Sequence, residues 1–224
     1  EAAYRGIEIA AARIDMEAHH GVHPRLGAAD VVPFVPVRDV TMAECVTLAR
    51  DLGSRVGTDL EIPVYLCGEA ALRPERVRLE DIRRGEYERL KREIQGDPAR
   101  EPDFGPAALG KAGAVVIGAR PFLVAFNAYL DTNEVAIAKK IARAIRHSNG
   151  GYRYLKAMGV RVMGQAQVSM NFTDVRKTPL HRVMASIRRE AARYGAAVTH
   201  TELVGMIPED ALMDAARWHL QLDI

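Results

Sequence analysis

The sequence holds two cysteines, one tryptophan and only 6% aromatic residues. The lone thiols, Cys45 and Cys67, supply neither a disulfide framework nor a cysteine-based zinc site, and they fit a reducing compartment. Charge of one sign is also lacking. Lys and Arg number 31 against 29 Asp and Glu, a net +2, which is too balanced to imply a nucleic-acid or membrane-surface partner. No apolar run approaches the ~20 residues of a membrane helix. The nearest stretches, 114–117 and 122–126, are parted by Gly118, Arg120 and Pro121. No signal peptide opens the chain, so a cytoplasmic location is expected. There is no initiator Met, and a helical pattern is already running at Glu1, so a longer N-terminus is expected. Neither G-x-G-x-x-G nor a serine nucleophile elbow occurs.

What is present is an ordinary globular composition, 48% hydrophobic and 27% charged over 224 residues, long enough for one large or two small domains. Apolar residues at spacings of three and four predict a helix over 2–18, followed by a Gly/Pro-broken loop over 19–30. Residues 31–37 read as an edge or irregular strand because they contain Pro33 and Pro36. Thr41 and Glu44 form a capping box that opens a helix to about residue 56. A strand at 62–67 and a charged, exposed helix at 79–94 follow. Three Pro and three Gly in 97–113 mark a linker or functional loop. Beyond it the predicted strands are 114–118, 122–130, 159–163, 165–172 and 197–204. Helices are predicted at 133–147, 178–194 and 208–220, with Thr178 as N-cap. The order ββαββαβα predicts an α+β protein of two α/β subdomains, 1–112 and 113–224, each a mixed β-sheet covered by helices on one face.

Chemistry-bearing residues are densest in His19-His20-Gly21-Val22-His23-Pro24-Arg25. A histidine can take and return a proton near neutral pH, and an adjacent arginine can grip a carboxylate bidentately. The alternative is a set of solvated histidines after a helix end; His23, fixed before Pro24, is the better functional candidate. A zinc pair of His19 and His23 would need a continuous helix, which Gly21 and Pro24 prevent, so no metal is expected. Gly105-Pro106-Ala107-Ala108-Leu109-Gly110-Lys111-Ala112-Gly113 nearly matches a P-loop. Ala112 replaces the magnesium-binding hydroxyl, and no buried strand precedes it. The segment is either a backbone cradle for an anionic or heterocyclic ligand or a plain linker. Asn127 and Asn171, in apolar strands, either orient a ligand or stitch the sheet. Both cysteines read as core.

Gly21-Val-His-Pro-Arg-Leu-Gly-Ala-Ala-Asp-Val-Val-Pro-Phe-Val-Pro-Val37 resembles the signature of the glutamate formimidoyltransferases. Collinear matches follow at Pro63-Val-Tyr-Leu-Cys-Gly-Glu-Ala70, Ile82-Arg-Arg-Gly-Glu-Tyr-Glu88 and Pro102-Asp-Phe-Gly-Pro106. Others are Gly118-Ala-Arg-Pro-Phe-Leu-Val-Ala-Phe-Asn127, Gln167-Val-Ser-Met-Asn-Phe172 and Glu202-Leu-Val-Gly205. The resemblance implies transfer of a formimidoyl group between N-formimidoyl-L-glutamate and tetrahydrofolate, a co-substrate, without metal. It implies two subdomains with a ligand tunnel between them, and a homodimer. The family's catalytic histidine falls on His23, its folate-contacting loop on Gly105 to Gly113, here a residue shorter and without an aromatic. Arg25 is the nearest cation for a substrate carboxylate. An acidic residue that the family carries in strands preceding Glu1 is absent from this sequence. The same fold would serve a 5-formyltetrahydrofolate activity or a non-catalytic folate-binding protein.

Overall fold

The computed structural model describes residues 1–21 and 24–222. The chain forms two compact units, Glu1–Arg120 and Pro121–Ile224.

In the first unit α1 (Ala2–Arg13) buries Tyr4 and Ile7. It stops at Ile14, in extended conformation, short of the predicted residue 18, and the chain leaves to donate from Met16 N–H to the Lys111 carbonyl at 2.8 Å. Strand β1 (Val31–Phe34) lies at an edge, as its Pro33 requires. Helix α2 (Met42–Asp59) opens on the predicted capping box, with Thr41 and Glu44 each satisfying the other's backbone N–H. Strands β2 (Val64–Gly68) and β3 (Val115–Ala119) complete a parallel sheet in the order β1-β3-β2. Its strand interiors alternate between two apolar layers. Val64, Leu66, Val115 and Ile117 pack with Ala49 and Val56 of α2. Tyr65, Cys67 and Val116 pack with Ile82, Leu90 and Ile94. The helix predicted over 79–94 is broken into α3 (Leu79–Ile82) and α4 (Glu86–Glu93). Gly85 takes φ 83° at the break, a conformation open to glycine, and this turns Tyr87 and Leu90 into the core.

Because β3 is the central strand of this sheet, the first unit runs through Arg120, beyond the expected boundary at 112/113. Residues 97–113 lie within it, as a loop folded back on the sheet.

The second unit has the order β4 (Val124–Leu130), α5 (Val135–Ile145), β5 (Leu155–Val162), β6 (Gln165–Phe172), α6 (Leu180–Ala192), β7 (Val198–Val204), α7 (Glu209–Leu220). Its sheet, β5-β6-β4-β7, is antiparallel at every pairing, the split β-α-β arrangement of ferredoxin-like folds. Strands β5 and β6 join through Met163 and Gly164, both at positive φ, as a two-residue hairpin turn demands. Strand β5 starts at Leu155, earlier than expected. The predicted cap at Thr178 is replaced: Pro179 holds the N-cap position, and the Thr178 hydroxyl donates to the Arg153 carbonyl. One sheet face packs Ala128, Val168, Met170 and Phe172 against Ile141 and Ile187 of α5 and α6. The α+β, two-subdomain reading holds, with the named strands of one sheet all parallel and those of the other all antiparallel rather than mixed within each sheet.

Candidate active-site loop

Two segments singled out in the sequence, 19–30 and 105–113, meet at the amino ends of β1 and β3. Gly27 and Gly113 form an antiparallel bridge. Ala28 N–H donates to the Ala112 carbonyl at 2.8 Å, and Ala114 N–H donates to the Leu26 carbonyl at 3.0 Å. The crossing is too close for side chains. A Cβ on either glycine would fall less than 3.0 Å from backbone atoms of the other segment, and Gly113 sits at φ +71°, where a Cβ is strained. Asp30 closes the turn by accepting from Leu26 N–H at 2.8 Å, and its other oxygen pairs with Arg83. Val22 and His23 lie outside the described residues; the chain on either side, Gly21 and Pro24, is exposed.

Arg25 is buried, its side chain 11% exposed. Nε donates to His19 Nδ1 at 3.2 Å, and Nη2 donates to the His19 carbonyl at 2.6 Å and to Glu88 Oε1 at 2.7 Å. Nη1 donates to Glu86 Oε2 and Glu88 Oε2, both at 3.3 Å. A guanidinium has five N–H donors, and all five are taken inside the protein. None is left for a substrate carboxylate, so the geometry of Arg25 is that of a brace and not of the substrate ligand expected from its charge. The Glu88 carboxylate beside it raises the Arg25 pKa, and Arg25 in turn holds the Glu88 carboxyl below its usual range. The same helix anchors the loop twice more. Tyr87 N–H donates to the Arg25 carbonyl at 2.9 Å, and the Tyr87 hydroxyl donates to Glu17 at 2.6 Å, where Lys91 also pairs.

Residues 105–113 leave the sheet edge at Phe104, which bridges Val64. Gly105 follows at φ +80° against the Ile62 carbonyl and Gly57 at the end of α2. Pro106, Ala107, Ala108, Gly110 and Lys111 are exposed. Leu109 packs on the layer of Leu26 and Tyr65, and Ala112 on the opposite layer. The segment runs into strand β3, where a P-loop would open a helix, which excludes the nucleotide-loop reading. Asp103 just ahead is buried in an ion pair with Arg76 at 2.7 Å and accepts from Leu66 N–H at 2.7 Å. The start of the loop is therefore tied to β2 and to Arg76.

The remaining candidates separate cleanly. Both cysteines are free and buried. Burial pushes the Cys67 thiol up to about 11, which removes it as a nucleophile at neutral pH. No group of three or more His, Cys, Asp and Glu able to hold a metal exists among the described residues. Asn127 is half-buried and donates to Glu202 on the neighbouring strand at 3.0 Å, stitching β4 to β7. Asn171 is exposed, so the argument from a buried amide does not apply to it. Sequence reasoning missed Glu86, Glu88, Tyr87 and Glu17, which hold the loop. The signal was there in the motif ending Glu-Tyr-Glu88, but a helix assumed to be exposed gave it no partner. It also missed Tyr129, which stacks on His200 with ring centroids 4.3 Å apart and donates to Glu202 at 3.3 Å.

Residues 1–120 match the family of the formiminotransferase domain, N-terminal subdomain, and residues 125–223 match the formiminotransferase domain. The chain is 52% identical over 227 residues to the glutamate formimidoyltransferase of Thermoplasma acidophilum, covering 100% of this chain and 75% of that protein. It is 43% identical to the Streptococcus pyogenes glutamate formimidoyltransferase over 226 residues, with the same coverage. The Mus musculus formimidoyltransferase-cyclodeaminase is 43% identical over 229 residues, 98% of this chain and 42% of that protein. Two matched subdomains with identity of this order over the full chain place it in the formiminotransferase domain family.

Proposed function

We propose that this chain is a glutamate formimidoyltransferase, moving a formimidoyl group between N-formimidoyl-L-glutamate and tetrahydrofolate. His23 is the general acid–base, and Gly105 to Gly113 is the folate-contacting segment. The observation that best supports this reading is the glycine-only crossing at Gly27 and Gly113, which ties the chain following His23 in sequence to the segment holding the exposed stretch 106–111. The chemistry needs little more. A tetrahydrofolate nitrogen attacks the amidine carbon and loses a proton; the tetrahedral intermediate then expels the glutamate nitrogen, which gains one. One histidine can carry that proton both ways, for about 10²–10⁴-fold. Holding two substrates together supplies the larger share. No covalent nucleophile is required. The two free thiols support a cytoplasmic setting, and the homodimer expected from the resemblance is open to sedimentation.

The test is a transfer assay on the full-length protein with N-formimidoyl-L-glutamate, and separately with 5-formyltetrahydrofolate. Turnover with the first, lost by about 10²–10⁴-fold in His23→Ala with folate binding retained, supports the reading. Turnover confined to the second substrate assigns the alternative folate activity, and near-wild-type turnover in His23→Ala removes its role. A folate analogue should raise the melting temperature, while Mg-ATP should leave it unchanged. Replacing Gly105 by a bulky residue should diminish the folate shift.

A further inference from the structure

Arg25 is a buried cation with no donor to spare, yet it sits two residues from His23. Its partners explain what it does. The Glu88 carboxylate faces it with both oxygens, Oε1 at 2.7 Å and Oε2 at 3.3 Å. The other edge of the guanidinium reaches back to His19, taking both the carbonyl and the ring nitrogen. One side chain thus ties the residue that enters the loop, the residue that leaves it, and helix α4. The Tyr87 N–H bond to the Arg25 carbonyl fixes the same residue from its backbone side. Five donors in a rigid planar fork hold a geometry that a lysine ammonium cannot reproduce. A buried arginine also cannot wander, because losing either partner strands a desolvated charge.

We infer that Arg25 and Glu88 are positioning residues for formimidoyl transfer: the pair ties His19 to Arg25, which flank His23 in the sequence, and turnover through His23 depends on that tie. This rests on the reading of His23 as the acid–base. It gives the motif Gly85-Glu-Tyr-Glu88 a purpose, as the dock for the loop. Neither residue touches substrate; both act through His23, in the same unit.

The experiment is a double-mutant cycle in the full-length enzyme, reading kcat and both KM values. Glu88→Gln keeps the size and removes the charge. It is expected to lower kcat by about 10- to 100-fold, the effect of a misplacement near 1 Å, with KM for both substrates within about twofold. Glu88 is itself half-exposed; should Glu88→Gln not fold, Arg25→Lys carries the same cycle, since it keeps the charge but loses the fork. Placed in a His23→Ala background, either change should cause no further loss in kcat, because groups that act through one another are not additive. A full multiplicative loss in that background overturns the inference and leaves the role of His23 standing. So does an unchanged kcat in the single variant. A rise in KM for one substrate alone, with kcat kept, overturns it by making Arg25 a substrate ligand. Wild-type turnover in His23→Ala itself overturns the acid–base reading, and this inference with it.

Discussion

The two sheets solve the same burial problem in opposite ways. In the first unit the interior of β2 and all of β3 are buried residue after residue, because apolar layers pack on both faces. Such strands read as unbroken hydrophobic runs and suit parallel pairing. In the second unit β6 alternates apart from one residue: Ala166, Val168, Met170 and Phe172 enter the core, whereas Gln165, Ser169 and Asn171 face the other way and are less buried, with Gln167 on that face the buried exception. No helix of that unit packs on this second face among the described residues. A sheet covered twice has no face open to solvent, so its exposed groups lie in the loops at its ends, as in 106–111. A sheet covered once keeps a polar face, on which Asn127, Tyr129, His200 and Glu202 gather.

The sharpest way to break this comparison is to drive charge into neighbouring strand positions. In β3, Val116→Asp and Ile117→Asp should each unfold the first unit, since both side chains are fully buried and an unpaired buried charge costs upward of about 4–5 kcal/mol. In β6 only one of two neighbours should do so: Val168→Asp unfolds the second unit, while Ser169→Asp shifts stability by less than about 0.5 kcal/mol. Urea denaturation followed by circular dichroism reads all four, and a mild Ile117→Asp would erase the distinction. Glycine substitutions come next. Gly113→Ala meets both positive φ and a backbone clash, and should cost about 1–3 kcal/mol in strain with overpacking added. Gly164→Ala has a similar φ of +84° but open space around it, so only about 1–2 kcal/mol is expected. Equal losses would show that the crossing has slack.

The smallest effect should be confined to the second unit. His181 is buried and stacked on Trp218 at 4.8 Å. Burial, with Arg182 and His219 nearby, holds its pKa below the usual value against the opposing pull of Asp214. The folded state therefore resists a proton that the unfolded chain accepts from about pH 6.5 downward. This contribution to stability is whole above that pH and is lost as pH falls toward the lowered native value. Trp218 is the sole tryptophan, so its fluorescence against pH follows the stack directly. In His181→Phe the dependence should vanish; if it persists, another group is responsible.

Legibility followed locality. Thr41 and Glu44 announced their helix because a capping box is complete within four residues. Pro33 announced an edge strand because it lacks a donor. The order of elements beyond Ala114 was also readable from periodicity. What stayed hidden depended on distant partners. That β3 belongs to the first sheet is decided by Val31 and Val64, its pairing neighbours across the chain. That the 79–94 helix breaks and buries one face is decided by the layer it covers. The site shows the same division: His23 stood out by its Gly/Pro setting and by resemblance, and the Gly-rich loop by composition. The partners of Arg25 were invisible, because an arginine beside a histidine reads as a substrate ligand until Glu86 and Glu88 are seen beside it.

The crossing at the amino ends of β1 and β3 also decides the field there. In parallel sheets it is usually the carboxyl ends, fronted by helix N-termini, that hold ligands, and such ends favour anions. Here the rim is met by the carboxyl end of one helix, α2, instead. The last turn of α2 abuts Gly105 through Gly57, and the chain leaving α1 bonds Lys111. A helix carboxyl end carries about half a negative charge and acts within its last turn. Such a rim favours a cation over a neutral group of the same shape. On the proposed function, a formimidoyl amidine, protonated at neutral pH, suits such a rim better than a neutral formyl group does, and comparing the binding of the two substrates tests that preference.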